Sequence, residues 1–518
     1  CPVIPAKAGI HLAFLSGASE LCANVNMGPS VRWDDGSGRP ATVEKSRHGA
    51  ITSSHPQSFS RPANHDLEEA MTVETINPAT GKVEYRHELM TAAQVAATLA
   101  AAQQAFPAWA ALSLAERGKV LRAVGVELRR RREDIQRIMT AEMGKLRKEA
   151  LAEVDKCAGA CDYYADHAAD YLHDQPVSTD GQRSYVRYEP IGCVLAVMPW
   201  NFPIWQVFRF LAPALMAGNV AILKHASNVP RWADLIAEVL RDAGLPAGVF
   251  GVLHIDNDQA AEVIRDARVA AVTLTGSERA GRSVAANAGS QLKKSVMELG
   301  GSDAFIVLDD ADLDKTVAGA VASRFGNAGQ TCIAAKRFIV QEGIADEFVK
   351  RFVEAAAKLR LGDPQDDATT LAPMARQDLR DELHKQVQAS VAKGAKVLLG
   401  GEPDASHAGY PASILDAVAP GMPAYEEELF GPVASILRVK DDAEAVRVAN
   451  DTTFGLGGSV WTRDVDRGDR IARQLQVGAA FVNAIVRSDV RLPFGGTKRS
   501  GFGRELAEHG IHEFMNIK

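Results

Sequence analysis

Gly192-Cys193-Val194-Leu195-Ala196-Val197-Met198 runs straight into Pro199-Trp200-Asn201-Phe202-Pro203, and the reading of that junction decides the fold. A continuous apolar run is the pattern of a strand buried on both faces, as in a parallel sheet covered by helices. Four further runs at 220–223, 249–255, 270–275 and 294–298 have the same character, and a helical segment separates each from the next. The series is βαβ, so a parallel sheet with helices on both faces follows. Ligands of such sheets bind beyond the carboxyl ends of the strands. Trp200 with Asn201, Lys224, Gly276 with Ser277, and Glu298 all fall along that one rim.

Downstream a second unit of the same kind is expected. It has a strand at 304–308, a helix at 313–323, then Phe325-Gly326-Asn327-Ala328-Gly329-Gln330-Thr331-Cys332 and the strand-like Arg337-Phe338-Ile339-Val340. Helices near 345–359 and 376–393 alternate with strands at 396–399, 434–437, 458–461 and 480–483. The fold class is α/β with two doubly wound domains, and 518 residues at 46% hydrophobic composition can bury two cores. Glu426-Glu427-Glu428 reads on local grounds as a solvated turn. The glycine-rich tail from Pro493 is unfit for a helix and is expected to fold over another element.

Upstream, 76–81 is a turn and 91–105 an alanine-rich helix. Ser113-Leu114-Ala115-Glu116 is a capping box that opens a helix with Val120, Leu121, Val124 and Leu128 on its apolar face. Arg129 to Arg132 are expected to continue that helix as a solvated face. A further helix covers 148–172, and alternation around Asp180-Gly181 predicts a β-hairpin over 177–188. Residues 1–70 lack either period and are rich in Ser, Pro, His and Gly; disorder is expected there, with the natural product starting at Met71.

Composition removes several functions. A net charge of −7 offers no polycationic surface for nucleic acid, and no apolar run is long enough to span a membrane. Six scattered cysteines make no disulfide framework, so a reducing, cytoplasmic setting is expected. Cys157 and Cys161 share a helical face but lack a second ligand pair, so no metal site is expected.

Taken alone, Cys332 would be an inert core thiol. Its placement where a polar, glycine-bearing loop meets regular structure is the geometry of a nucleophile. Met297-Glu298-Leu299-Gly300-Gly301 and the Asn201 loop add a candidate base and an oxyanion donor from two other loops. Thr275-Gly276-Ser277-Glu278-Arg279-Ala280-Gly281 is a glycine turn opening a helix, able to bring amides to a phosphate but weak as an isolated motif.

Pro199-Trp200-Asn201-Phe202-Pro203, Glu298-Leu299-Gly300-Gly301, Gly329-Gln330-Thr331-Cys332, Glu428-Leu429-Phe430-Gly431-Pro432 and Pro493-Phe494-Gly495-Gly496 stand in the order and spacing of the NAD(P)-dependent aldehyde dehydrogenase superfamily. The chain resembles that family from about Met71 to Lys518. Trp205-Gln206-Val207-Phe208-Arg209, Lys224-His225-Ala226-Ser227-Asn228, Ala334-Ala335-Lys336-Arg337-Phe338 and His512-Glu513-Phe514 resemble its bacterial succinate-semialdehyde dehydrogenases of the short Sad type.

The resemblance implies the aldehyde dehydrogenase fold: a dinucleotide-binding domain over 71–176 and 189–298, a catalytic domain over 299–485, and oligomerisation elements at 177–188 and 486–518. It implies a homodimer or homotetramer; family chains run on a little past the position of Lys518, so an incomplete terminus is expected. Cys332 would attack the aldehyde, Asn201 and the Cys332 amide would hold the oxyanion, and Glu298 would activate the water that hydrolyses the thioester. Trp200, Lys224, Ser227, Gly276, Ser277, Gly281, Leu299, Glu428 and Phe430 would bind the cofactor, NADP or NAD. Ser227 stands where NAD-preferring relatives carry a glutamate, so NADP is expected to be tolerated or preferred.

Arg209 matches the position from which semialdehyde dehydrogenases clamp the distal carboxylate, for which a guanidinium fork is suited. A plain ion-paired helix arginine is the competing reading. The second arginine of some relatives is Gly326 here, and Ser488 and Arg491 are the substitutes. Succinate semialdehyde is therefore the expected substrate, with glutarate semialdehyde or an aliphatic aldehyde as the alternative. A cysteine hydrolase would need a histidine base, and only His225 lies in a motif loop. A non-catalytic relative would be expected to have lost Cys332 or Glu298, and both are present.

Overall fold

The computed structural model describes residues 72–518; the disorder and Met71 start expected of 1–70 lie outside the described residues. Two sheets organise them. The first has the strand order Gly501–Phe502, Lys294–Glu298, Val269–Thr275, Cys193–Met198, Val220–His225, Phe250–Val252. All neighbours are parallel except Gly501–Phe502, which runs antiparallel to Lys294–Glu298. Cys193–Met198 comes first in sequence yet lies inside the sheet, so the chain winds outward from it in both directions. The carboxyl ends of Cys193–Met198 and Val269–Thr275 therefore flank the point where strand order reverses, the place at which such sheets open a crevice.

Why these runs became strands is plain from their burial. Val194, Leu195, Ile222, Leu223 and Val272 are all fully buried, each contributing about 1.5–3 kcal/mol by leaving water.

The second sheet runs Lys396–Leu399, Ser413–Asp416, Val433–Val439, Ala335–Gln341, Asp303–Val307, Gly457–Trp461, Ala479–Val482. It is parallel except at Lys396–Leu399, which is antiparallel to Ser413–Asp416. Ser413–Asp416 lacked a sequence signal strong enough to separate it from its loop. The first sheet points carboxyl ends at the active region. The second supplies the loops entering the amino ends of Ala335–Gln341 and Val433–Val439.

The Ser113 box forms as expected: Ser113 N–H donates to Glu116 Oε2 at 2.8 Å and Glu116 N–H to Ser113 Oγ at 3.3 Å. The helix it opens, Leu114–Arg130, does not continue through the four arginines. It breaks at Arg131, and Arg132–Met143 is a separate helix. The break lets Arg131 reach Glu127, Glu238 and Asp242 at once, while Arg129, Arg130 and Arg132 pair with Asp162, Glu127 and Asp155. The expected solvated face holds for Arg129 and Arg130, which stay exposed while ion-paired; Arg131 instead turns in against the helix Pro230–Asp242.

The turn at 76–81 joins two paired strands, Thr72–Ile76 and Val83–Glu88. The hairpin at 177–188 has a short ladder, Gln175–Pro176 against Tyr185–Val186. Tyr188–Pro190 instead pairs with Met515–Ile517 from the end of the chain. The glycine-rich tail adds Gly501–Phe502 to the edge of the first sheet, beside Met297 and Glu298.

Candidate active site

Cys332 follows a turn that L-residues avoid. The helix Leu313–Phe325 gives way to Gly326–Gly329, in which Asn327, Ala328 and Gly329 have φ of 53°, 51° and 69°. Left-handed backbone costs about 1–2 kcal/mol for each L-residue, so the surroundings must impose it. Asn327 donates from Nδ2 to the Asn201 carbonyl at 2.9 Å and from its amide to Glu149 Oε1 at 2.9 Å. Gly329 has no alternative, because a Cβ there would stand 2.3 Å from the Gly431 carbonyl oxygen. The buried Arg324 guanidinium donates to the carbonyls of Gly329, Leu429 and Gly431 and pins the two loops together.

Lys336 fixes the other side of the nucleophile. Its buried ammonium donates to the carbonyls of Thr331, Cys332 and Ala334 at 3.2, 2.9 and 3.2 Å and lies 3.5 Å from Glu428. Burial pushes the half-buried Cys332 thiol up to about 12, with Arg209 and Lys336 pulling it down and Glu298 and Glu428 raising it further. The resting sulfur is a thiol, and it needs a proton acceptor to attack.

Asn201 is 4% exposed. One hydrogen of its Nδ2 goes to the Gln330 carbonyl at 3.0 Å, leaving the second for an oxyanion. His225 is bonded through Nε2 to the Pro203 carbonyl at 2.8 Å, and burial lowers it to about 4. It is a neutral brace for the Asn201 loop and is committed away from the sulfur.

Glu298 ends its strand 2% exposed, and neither carboxylate oxygen has a hydrogen-bond partner among the described residues. Burial raises its carboxyl well above the ordinary range; Arg209 opposes the shift and Glu505 adds to it. The space around the carboxylate is kept by the tail, where a Cβ at Gly495 would stand 2.8 Å from Glu298 Oε1.

Eight of the expected residues share one cavity of about 260 Å³: Trp200, Asn201, Gly276, Ser277, Leu299, Cys332, Glu428 and Phe430. Trp200 meets Phe430 edge to face at 5.8 Å. Glu428 turns inward from its acidic run and accepts the Gly301 amide at 2.9 Å, so the local expectation of a solvated turn holds only for Glu426 and Glu427. Gly281 lets its helix close on Leu299, whose Cδ2 would be 2.5 Å from a Cβ there.

Lys224, 9% exposed, has no ion-pair partner among the described residues, and burial lowers its ammonium. Ser227 is exposed and lines a separate cleft of about 720 Å³. An unpaired cation at a strand end, an aromatic pair and a glycine turn beside the point where strand order reverses are groups that fit a dinucleotide.

A second cavity of about 300 Å³ adjoins the nucleophile loop, walled by Asn327, Thr331 and Ile333 on one side and by Lys156, Phe202 and Trp205 on the other. Of the three residues expected to bind substrate, none offers a free cation to it. Arg209 is 2% exposed and lines neither cavity; its guanidinium pairs with Glu505, donates to Thr275 Oγ1 at 3.0 Å and stacks on Phe494 at 4.7 Å. That is the ion-paired helix arginine of the competing reading. Arg491 is exposed and paired with Asp489 at 2.7 Å. Ser488 is buried and accepts from Trp205 Nε1 at 3.1 Å and Lys156 Nζ at 2.7 Å.

Sequence reasoning assigned no role to Arg324, Lys336, Glu505 or Lys156. For Lys336-Arg337 the signal was two cations opening an otherwise apolar strand, which demands buried acceptors. The other three carried none.

Comparison with known proteins agrees with this geometry. The aldehyde dehydrogenase family profile matches residues 66–518. The chain is 48% identical over 458 residues to succinate semialdehyde dehydrogenase [NAD(P)+] Sad of Escherichia coli, covering 88% of this chain and 98% of that one. It is 48% identical over 453 residues to succinate-semialdehyde dehydrogenase [NADP(+)] of Mycobacterium avium, covering 86% and 96%. Among solved structures, succinic semialdehyde dehydrogenase from Streptococcus pyogenes in complex with NADP+ superposes with a TM-score of 0.84 at 41% identity, covering 86% and 98%.

Proposed function

The chain belongs to the aldehyde dehydrogenase family, and from that premise we propose that it oxidises succinate semialdehyde to succinate with NADP or NAD. The reading is carried by the single cavity in which Cys332, Asn201, Leu299 and Glu428 meet, within the electrostatic reach of Glu298.

The Cys332 proton must leave for solvent as sulfur bonds to the aldehyde carbon, and the Arg209 and Lys336 charges favour the thiolate that forms. The free Asn201 Nδ2 hydrogen and the Cys332 amide stabilise the oxyanion; losing such a donor costs about a hundredfold or more in rate. The bound nicotinamide supplies the hydride acceptor. Trp200 and Phe430 would wall the space for its ring, and Glu428, held by Gly301 and Lys336, would hold its ribose. A thioester is left on Cys332. Glu298 then takes a proton from the water that attacks the thioester carbonyl and passes it to the departing Cys332 sulfur, which restores the resting thiol.

The reading extends to cofactor and assembly. Ser227 carries no negative charge to repel a 2′-phosphate, so NADP is tolerated or preferred. Val177, Tyr185, Phe502 and Ile517 are exposed apolar side chains on the hairpin and tail, and these are the surfaces through which the chain forms a homodimer or homotetramer. No described helix is long and apolar enough to cross a membrane; a cytoplasmic enzyme is the accompanying proposal.

Absorbance at 340 nm with NADP and succinate semialdehyde tests the whole. The expected result is turnover with kcat/KM above that for butanal, abolished in Cys332→Ala. No reduction of NADP or NAD with any of the semialdehydes or aliphatic aldehydes sinks the reading.

A further inference from the structure

The roughly 300 Å³ cavity beside the nucleophile loop is lined by four charged side chains, Lys145, Glu149, Glu153 and Lys156. Three are already committed. Lys145 pairs with Glu153, which also accepts the Ile204 and Trp205 amides at 3.0 and 2.9 Å. Glu149 accepts the Asn327 amide at 2.9 Å. Of the cations near it, Arg209 and Arg491 are paired with Glu505 and Asp489, and neither Lys148 nor Arg487 lines the cavity.

Lys156 differs. Among the described residues it has no carboxylate within ion-pair distance. Its Nζ donates to Ser488 Oγ at 2.7 Å and lies 4.0 Å from the centre of the Trp205 ring. A hydroxyl and an aromatic face aim an ammonium without neutralising it, and two of its three donor hydrogens stay free. Ser488 cannot swing away, because Trp205 Nε1 also donates to it at 3.1 Å. An aimed but uncompensated cation in a cavity wall is a site for an anion.

We propose that Lys156, oriented by Ser488 and Trp205, binds the distal carboxylate of the aldehyde and sets the preference for semialdehydes. This rests on the semialdehyde reading above, and it moves the carboxylate anchor from Arg209 to the helix Arg147–Leu172. A compact ammonium imposes less geometry than a guanidinium fork, so the five-carbon semialdehyde is accepted alongside the four-carbon one.

Lys156→Met and Lys156→Arg, assayed with NADP on succinate semialdehyde and on butanal, decide it. In Lys156→Met the semialdehyde-to-butanal ratio of kcat/KM falls about thirtyfold, with the loss in KM for the semialdehyde rather than in kcat, and Lys156→Arg keeps most of the ratio. Succinate titrated calorimetrically into the same proteins follows that order. A ratio unchanged in Lys156→Met overturns the proposal. A wild-type enzyme that turns over butanal as well as the semialdehyde sinks instead the substrate reading beneath it.

Discussion

The Lys336 ammonium donates to the carbonyl of Cys332 at 2.9 Å and stands 3.5 Å from Glu428. One buried cation thus ties the backbone of Cys332, the proposed nucleophile, to the side chain of Glu428 across the same cavity. Lys336→Met frees the loop and removes a charge that pulls the thiol pKa down. Misplacement of a reacting atom by an ångström costs on the order of a hundredfold, so kcat is expected to fall by that order. Alkylation of Cys332 by iodoacetamide at pH 8 should also slow, since the thiol titrates still higher. Unchanged alkylation and turnover would show the tie to be idle.

Arg209 and Glu505 bury opposite charges at 2% and 3% side-chain exposure. Removing one member of such a pair typically costs about 3–5 kcal/mol. Arg209→Ala is therefore expected to lower the urea midpoint substantially and to depress kcat/KM for succinate semialdehyde and butanal by one common factor. A selective rise in KM for the semialdehyde would restore Arg209 to the role of carboxylate clamp.

Glu298→Gln separates the two halves of the reaction. The amide cannot take a proton from water, so the thioester accumulates and stopped-flow absorbance should show one equivalent of reduced cofactor per site before turnover slowed by about a hundredfold or more. The sign with pH follows from the raised carboxyl: wild-type deacylation needs the ionised form and climbs as pH rises through that elevated value. The climb should be absent from Glu298→Gln. A variant with no burst and the wild-type profile would assign the base elsewhere.

Much of this was legible in the sequence because the deciding interactions are local. Apolar runs gave most strands of both sheets, though not Ser413–Asp416 or Gly501–Phe502, and Ser113 with Glu116 gave a helix start. The residues just past the first sheet's strands fell on its rim, as topology requires. Three things were illegible, each for a long-range reason. Glu428 looks like its two solvated neighbours until the fully buried Leu429 and the Gly301 amide draw it inward. The break at Arg131 accompanies ion pairs to Glu238 and Asp242 on a helix far off in sequence. Arg209 finds Glu505 only because Gly501–Phe502 inserts the tail beside Lys294–Glu298.

Ser227 is exposed on the loop between Val220–His225 and Pro230–Asp242, so a substitution there changes charge without disturbing packing. Ser227→Glu places a carboxylate where a 2′-phosphate would come and should lower the NADP-to-NAD ratio of kcat/KM by at least about tenfold, the cost of one like-charge contact. Steady-state kinetics with both cofactors measure it. An unmoved ratio would put the 2′-phosphate elsewhere.

Lys156 also makes substrate binding titratable. Burial lowers its ammonium to about 8; Arg209 pushes the same way, while Cys157, Glu153 and Asp489 oppose. Below that value Lys156 is charged and holds a carboxylate; above it the charge is lost. KM for succinate semialdehyde should therefore be flat through neutral pH and then climb, approaching about tenfold per pH unit, whereas KM for butanal lacks that limb. The carboxylate of the semialdehyde is ionised throughout this range, so the limb belongs to the protein. In Lys156→Arg, whose guanidinium stays charged, the limb should vanish while the semialdehyde preference survives. A limb shared by both substrates would place the titrating group at Cys332 or Glu298, which both carry raised pKa values, and not at Lys156.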